Sequence, residues 1–173
     1  MPSVLQSPHT ERILANLQYQ GSGDDCGPYT AATLINALCG ESLDGKALAK
    51  RMNKLGRRGP LPVIRRVPNW ATFPWGVVDV LREYGLDAHW WLLTPLAYLR
   101  PALANGRILI PIIGEWKPKP WAHFLTLIAW DAVRGWGFAN TQLKQPRISW
   151  VPDNLFQRRW QNYGRVLVEV ERA

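Results

Sequence analysis

The chain has 173 residues, 47% of them hydrophobic, which suits one folded domain over residues 1–173 and excludes an extended disordered protein. No stretch reaches the ~20 apolar residues of a transmembrane helix, and the N-terminus lacks the pattern of a signal peptide, which favours a cytoplasmic location. The net charge of +8 comes from scattered basic pairs without a nucleic-acid-binding motif, so we expect a solvated basic surface and no nucleic-acid partner. An acidic partner stays open, and the oligomeric state is not predicted.

The first half of the chain shows the apolar spacing of helices. The residues before the first of these helices, including His9, are expected to be loose. Apolar side chains three and four residues apart predict a helix over 28–39, with Asp25 as its N-cap and Gly40 as its stop. The same reasoning predicts helices over 43–55, 76–84 and 95–105, and a short strand over 88–93.

Residues 56–75 interrupt these helices with four prolines and two glycines, which exclude regular structure over much of the segment. A loop of this length is often functional. We leave open whether it covers a substrate site or only decorates the surface.

The second half of the chain changes to the patterns of strands. Residues 108–113 form a continuous apolar run, which predicts a buried strand. Further strands are predicted over 123–130, 136–140 and 165–171, with Asp131 in the turn that follows the first of these three. Trp121 and Trp136 are expected in the core or in a cleft wall. Helices first and strands second indicate an α+β domain with an antiparallel sheet.

Two cysteines, Cys26 and Cys39, flank the first predicted helix, and they match no zinc-binding spacing. A rise of ~1.5 Å per residue places them about 20 Å apart, whereas a disulfide needs Cα atoms within ~7 Å. We therefore expect two free thiols. Cys39, at a helix end among apolar residues, is expected to be a buried small hydrophobe.

Cys26 lies between the glycine-rich stretch Q-G-S-G-D-D and the helical pattern. A free cysteine has a pKa of ~8.5, and the partial positive charge at a helix N-terminus favours the thiolate. Asp24 and Asp25 oppose ionisation unless they point away or are neutralised as helix caps. The position is therefore compatible with a nucleophilic thiol.

A nucleophilic thiol also needs a base, and His123 is the candidate among three histidines. A histidine at the start of a buried strand is ordinarily structural. However, the predicted hairpin returns to Asn140 seventeen residues later, where its amide oxygen would accept the imidazole N–H and orient the ring. Gln20, six residues before Cys26, would donate its amide N–H, together with the Cys26 backbone N–H, to an oxyanion.

Several stretches, in the same order, resemble papain-like cysteine peptidases of the bacteriocin-processing (C39) and C39-like group. They are Q-G-S-G-D-D-C-G-P-Y-T-A-A-T-L at Gln20–Leu34, A-T-F-P-W at Ala71–Trp75, H-F-L-T-L-I-A-W-D from His123, and W-G-F-A-N ending at Asn140. Together they span most of the chain. The resemblance implies a papain-like cysteine peptidase fold with an N-terminal helical half and a C-terminal antiparallel β-sheet half.

The resemblance also implies roles for four residues: Cys26 as nucleophile, His123 as base and acid, Asn140 as the residue that orients His123, and Gln20 as oxyanion donor. It implies a peptide or acyl substrate and neither a metal nor an organic cofactor. One position departs from the group, which usually has Asp-Pro where this chain has Asn140-Thr141. An amide orients the imidazole ring but stabilises its cation less than a carboxylate does.

We therefore expect a cysteine peptidase that cleaves a peptide bond through an acyl-enzyme. Two alternatives stay open. One is an acyltransferase, or another amide- or thioester-processing enzyme, with the same triad. The other is a peptidase-like binding module without activity, although loss of activity would usually begin at the four residues that are intact here.

Overall fold

The computed structural model describes residues 4–171. Its helices are α1 (Thr10–Ala15), α2 (Cys26–Cys39), α3 (Gly45–Met52), α4 (Pro74–Glu83), α5 (Leu96–Ala104) and α6 (Asp153–Gln161). Its strands are β1 (Leu5–Gln6), β2 (Gly56–Arg58), β3 (Leu61–Val63), β4 (Arg66–Val67), β5 (Ala71–Thr72), β6 (Ala88–Trp91), β7 (Ile108–Glu115), β8 (Trp121–Phe124), β9 (Thr126–Asp131), β10 (Gly135–Ala139), β11 (Ser149–Val151) and β12 (Leu167–Val170). Helices and antiparallel strands together confirm the predicted α+β class.

One antiparallel sheet holds β11, β10, β9, β7, β12 and β6 side by side in that order, with β1 paired to β9 and β8 paired to β7. Strand β7 is covered on both faces. Ile108, Ile110 and Ile112 belong to the core that includes α2 and α4. Leu109 and Ile113 belong to a second core with α5 and α6. Because successive side chains of a strand point to opposite faces, burial of both faces explains the continuous apolar run.

The strand predicted over 123–130 is wrong in one respect, because Leu125 divides it into β8 and β9. The backbone N–H of Leu125 donates to Pro111 O at 3.3 Å, so the backbone polar atoms of Pro111 face β8 and β9. A proline has no N–H, so the ladder lacks a donor at this point. The break ends β8 immediately after His123 and Phe124.

The turn between β9 and β10 is shaped by Asp131, as predicted. Its Oδ1 atom accepts the backbone N–H groups of Val133 and Arg134, each at 2.8 Å. These hydrogen bonds hold the pKa of the Asp131 carboxyl below its usual range. The hairpin then delivers the chain to Asn140, directly after β10.

The expectation of a loose N-terminal segment is wrong for the residues that the structure describes. Leu5 and Gln6 pair with Trp130 and Ala129 at the edge of β9, and helix α1 follows. The Thr10 hydroxyl donates to Ile128 O at 3.0 Å, which ties the helix to the same strand. Pairing with a strand distant in sequence has no local signal, which is why the pattern did not predict it.

The segment 56–75 is more regular than its composition predicted. It forms two short hairpins, β2–β3 and β4–β5, and α4 begins at Pro74, an N-terminal position that proline favours. Gly59 and Asn69 have φ values of 60° and 58°, which the two tight turns require. The Trp75 indole N–H donates to Ile64 O at 2.8 Å and fixes the segment against α4.

The predicted helices and strands are present with changed bounds. Helix α3 begins after Asp44, whose carboxylate caps the Ala47 N–H at 2.7 Å, two residues later than the predicted start at residue 43. Strand β11 and helix α6 were not predicted, since Phe156 and Trp160 are the only fully buried side chains of α6 among polar neighbours. Within residues 4–171, no helix is both long enough and apolar enough to span a bilayer.

Candidate active site

Cys26 is the first residue of α2 and is buried, with 8% of its surface exposed. Strand β5 packs closely over this turn: a Cβ atom on Gly27 would lie 2.6 Å from Thr72 Cγ2, so only glycine fits there. The helix also contacts β8, and the backbone N–H of Phe124 on that strand favours the Cys26 thiolate. The nucleophile candidate therefore faces the strand that carries His123.

His123 and Asn140 are in direct contact. His123 lies on β8 opposite Ile113 and is 4% exposed, and its Nε2 atom is 2.9 Å from Asn140 Oδ1. The backbone N–H of Gln142 also reaches Asn140 Oδ1, at 2.9 Å. Because a backbone N–H can only donate, this contact identifies the amide oxygen. His123 Nε2 therefore donates, and in the neutral ring Nδ1 carries the lone pair.

Gln20 is bound to the residue that follows Asn140. Its backbone N–H donates to Thr141 O at 2.8 Å, and its side-chain Oε1 accepts a hydrogen bond from the Thr141 hydroxyl. Its Nε2 atom donates to Gly23 O at 2.7 Å, within the glycine-rich turn before Cys26. Gln20 thus connects the turn that precedes Cys26 to the segment that carries Asn140.

The thiol does not take part in these bonds. Within residues 4–171, no hydrogen bond joins Cys26 Sγ to His123 or to Gln20. Hydrogen bonds between catalytic groups are often long without substrate and shorten when it binds. The structure therefore brings together His123 with Asn140 and Gln20 with Thr141, and it places Cys26 on a helix that contacts the strand of His123.

Burial dominates the titration of both candidate groups. It raises the pKa of the Cys26 thiol, although the backbone N–H groups of Phe124, Gly27 and Cys26 itself favour the thiolate, and Asp24 adds a smaller rise. It lowers the pKa of His123, and the hydrogen bond to Asn140 offsets part of that effect. Desolvation thus opposes the stabilisation of the Cys26 thiolate by the N–H groups at the start of α2. Each group alone favours its neutral form.

Asp25 does not act as the predicted side-chain cap of α2. Instead, its Oδ1 atom lies 2.5 Å from Nη2 of Arg66, whose side chain is 2% exposed. The β4–β5 hairpin thus places a buried cation at the N-terminus of the Cys26 helix. Sequence reasoning missed it, because the Arg65-Arg66 pair lies in a proline-rich segment and charges in such segments are normally solvated. Both arginines are buried, so the prediction of a solvated surface is wrong for this pair.

The second cysteine has a different environment from the one predicted. Both thiols are free, as expected, but Cys39 is exposed rather than buried. It is the last residue of α2, and its Sγ atom is 3.6 Å from Tyr84 O. Cys39 is therefore a natural internal reference for the reactivity of Cys26.

A cleft of about 310 Å³ opens beside the His123–Asn140 pair. It is lined by Ile113, Trp121, His123, Leu125, Asn140, Gln142, Ser149, Trp150, Val151, Pro152, Leu155 and Arg159. Trp121 thus lies in the cleft wall and Trp136 in the core, as predicted. The Arg159 guanidinium lies over the Trp121 ring at 5.2 Å and also binds Glu115 at 2.7 Å. Residues 4–171 contain no group of three or more His, Cys, Asp or Glu side chains arranged to bind a metal.

The fold is that of C39-like peptidases. No protein-family model and no curated protein matches the chain. Among solved structures, a protein described as a C39-like peptidase from Bacillus anthracis superposes with a TM-score of 0.65 at 14% identity, over 91% of this chain and 95% of that one. A double glycine motif protease from an AMS/PCAT transporter, in complex with a leader peptide, matches with a TM-score of 0.60 at 15% identity, over 88% and 87%.

The peptidase domain of Streptococcus ComA, a bifunctional ABC transporter of a quorum-sensing pathway, also matches, with a TM-score of 0.60 at 14% identity over 90% of this chain and 97% of that one. All three are similar over nearly their whole length. They confirm the predicted papain-like fold and the resemblance to the C39-like group.

Proposed function

We propose that this protein is a cysteine peptidase in which Cys26, His123 and Asn140 cleave a peptide bond. The observation that carries the proposal is the 2.9 Å bond from His123 Nε2 to Asn140 Oδ1, beside a buried thiol at a helix N-terminus. This bond leaves the Nδ1 lone pair free to take a proton. The C39-like fold supports the same assignment.

In the first half of the proposed reaction, His123 Nδ1 takes the thiol proton as Cys26 Sγ bonds to the substrate carbonyl carbon. The oxyanion receives hydrogen bonds from Gln20 Nε2 and from the Cys26 backbone N–H. When the intermediate collapses, the C–N bond breaks and the amine leaves with the proton from Nδ1. The acyl group stays on sulfur as a thioester.

In the second half, a water molecule gives a proton to His123 Nδ1 and attacks the thioester carbon. The C–S bond breaks, the peptide leaves as a carboxylic acid, and sulfur regains the proton. Asn140 keeps the ring oriented through both steps. Since neither buried group ionises readily alone, the thiolate and the imidazolium form together as a pair.

The neighbours suggest the first substrates to test, because one of them is named as a double glycine motif protease bound to a leader peptide. We propose peptides with Gly-Gly before the scissile bond, incubated with wild type, Cys26→Ser and the matched control Cys39→Ser, and analysed by mass spectrometry. Cleavage by wild type and Cys39→Ser only, after a single position, is the expected result. Acyl transfer to an added amine without hydrolysis would indicate an acyltransferase, and binding without either reaction would indicate a binding module.

The Asn140→Asp variant should have a wider pH optimum than wild type. A carboxylate beside His123 stabilises the imidazolium, so the alkaline limb, where the imidazolium loses its proton, moves up by about one pH unit or more. The acid limb, where the thiolate gains a proton, should move far less, because the imidazolium is present on both sides of that step and an added carboxylate does not favour the thiolate. The measurement is kcat/KM against pH for both proteins. A profile that superimposes on wild type would show that the Asn140 amide does not limit the pair.

A further inference from the structure

Thr141 forms two hydrogen bonds with Gln20, although 121 residues separate them in the chain. Its carbonyl oxygen accepts the Gln20 backbone N–H at 2.8 Å, and its hydroxyl donates to Gln20 Oε1. Thr141 is 2% exposed, so water does not replace these bonds easily. A valine at this position would keep the carbonyl and the shape of the side chain, but would lack the hydroxyl.

The orientation of the Gln20 amide is fixed at both ends. Its Nε2 atom contacts Gly23 O at 2.7 Å, and a carbonyl only accepts, so this end of the amide is the nitrogen. The other end is the oxygen, toward which the Thr141 hydroxyl is directed as donor. One N–H of Nε2 is used by Gly23, and the second has no partner among residues 4–171.

Residues 140–142 therefore fix the orientation of two side chains, those of His123 and Gln20. Asn140 orients His123, and the Gln142 backbone N–H in turn fixes the sense of the Asn140 amide. Thr141, between them, holds Gln20. Because these residues are consecutive, the imidazole and the Gln20 amide are oriented by one short segment of chain.

From this arrangement we infer that Thr141 is a positioning residue, whose hydroxyl aims the free Gln20 N–H at the oxyanion. The inference rests on the proposed function, since only an acyl-transfer reaction forms that oxyanion. Without the hydroxyl, Oε1 lacks its buried partner and the amide turns or retracts. Thr141 touches no reacting atom and acts through Gln20.

The test compares Thr141→Val with Thr141→Ser in three measurements. The first is kcat and KM on the Gly-Gly peptide that wild type cleaves. The second is inhibition by the aldehyde acetyl-Leu-Gly-glycinal, which adds Cys26 Sγ to its carbonyl carbon, forms a hemithioacetal and uses the oxyanion site. The third is alkylation of Cys26 by iodoacetamide, which displaces iodide and forms no oxyanion.

We expect Thr141→Val to lower kcat by about tenfold or more with little change in KM. Removal of an oxyanion donor altogether lowers kcat by a factor of about 10²–10³, and here the donor is only misplaced. Aldehyde inhibition should weaken by a similar factor, while iodoacetamide alkylation keeps its wild-type rate. Thr141→Ser, which retains the hydroxyl, should restore both kcat and aldehyde affinity. When Gln20→Ala is already present, adding Thr141→Val should lower kcat little further, because both changes remove the same interaction.

If Thr141→Val has the same kcat and the same aldehyde affinity as wild type, the inference is overturned, whereas the proposed function is not affected. An equal loss of alkylation rate would also overturn it, because that loss indicates general damage to the site. If Thr141→Val does not fold, Thr141→Ala against Thr141→Ser gives the same comparison. A wild-type protein that neither cleaves peptides nor binds the aldehyde overturns the proposed function together with the inference.

Discussion

Replacement of His123 by alanine will reduce peptide hydrolysis by a factor on the order of 10³ and slow the alkylation of Cys26 at neutral pH. Burial raises the pKa of Cys26, so the thiol alone stays protonated where a solvent-exposed cysteine is already partly ionised. In the proposed mechanism, His123 accepts the proton and its cation stabilises the thiolate. Without the imidazole, the thiolate keeps only the support of the backbone N–H groups of Phe124, Gly27 and Cys26 among the influences identified within residues 4–171.

The measurement is iodoacetamide alkylation across pH, with each cysteine followed by mass spectrometry. Cys39 is exposed and lies at the opposite end of α2, so it provides a second thiol in the same sample, with a pKa that partial burial and Glu41 raise. His89→Ala is the matched control, because His89 binds Asp87 at 2.9 Å and Arg82 at 3.0 Å, away from the cleft. Equal alkylation of Cys26 in wild type and His123→Ala, at a rate no faster than Cys39, would contradict the catalytic pair.

Loss of Asp25 will destabilise the protein far more than loss of its partner Arg66. Asp25→Ala leaves a cation whose side chain is 2% exposed without its carboxylate, and we expect the free energy of unfolding to fall by about 3 kcal/mol. Arg66→Met leaves Asp25, whose side chain is 34% exposed and can be hydrated, so a loss of about 1 kcal/mol is expected. The asymmetry follows from which charge is left buried.

Urea denaturation at neutral pH measures both values, and the double variant provides the decisive comparison. Asp25→Ala combined with Arg66→Met should be more stable than Asp25→Ala alone, because the methionine removes the unpaired buried cation and fills its space. A double variant less stable than Asp25→Ala would show that Arg66 stabilises the fold by packing of its stem rather than by its charge. The same conclusion would follow if Arg66→Met lowered the free energy of unfolding more than Asp25→Ala does.

Local patterns in the sequence were sufficient for the elements that carry the site. Helix α2 was predictable because its apolar residues recur every three or four positions, and β7 because it is apolar throughout. Cys26, His123 and Asn140 could be selected from residue type and from their places at a helix start and on a hairpin. Each of these signals lies within a short stretch of chain.

What packs against those elements was decided only by the tertiary structure. The β4–β5 hairpin brings Arg66 to Asp25, 41 residues away in the chain, and Thr141 contacts Gln20, 121 residues away. No periodic pattern in the sequence predicts either contact. The direction of the Cys26 pKa was also beyond the sequence, since the helix N-terminus is local but desolvation depends on everything that covers the thiol. The sequence thus determined which residue types lie at the start of α2 and directly after β10. Their solvation and partners came from the packing of distant segments.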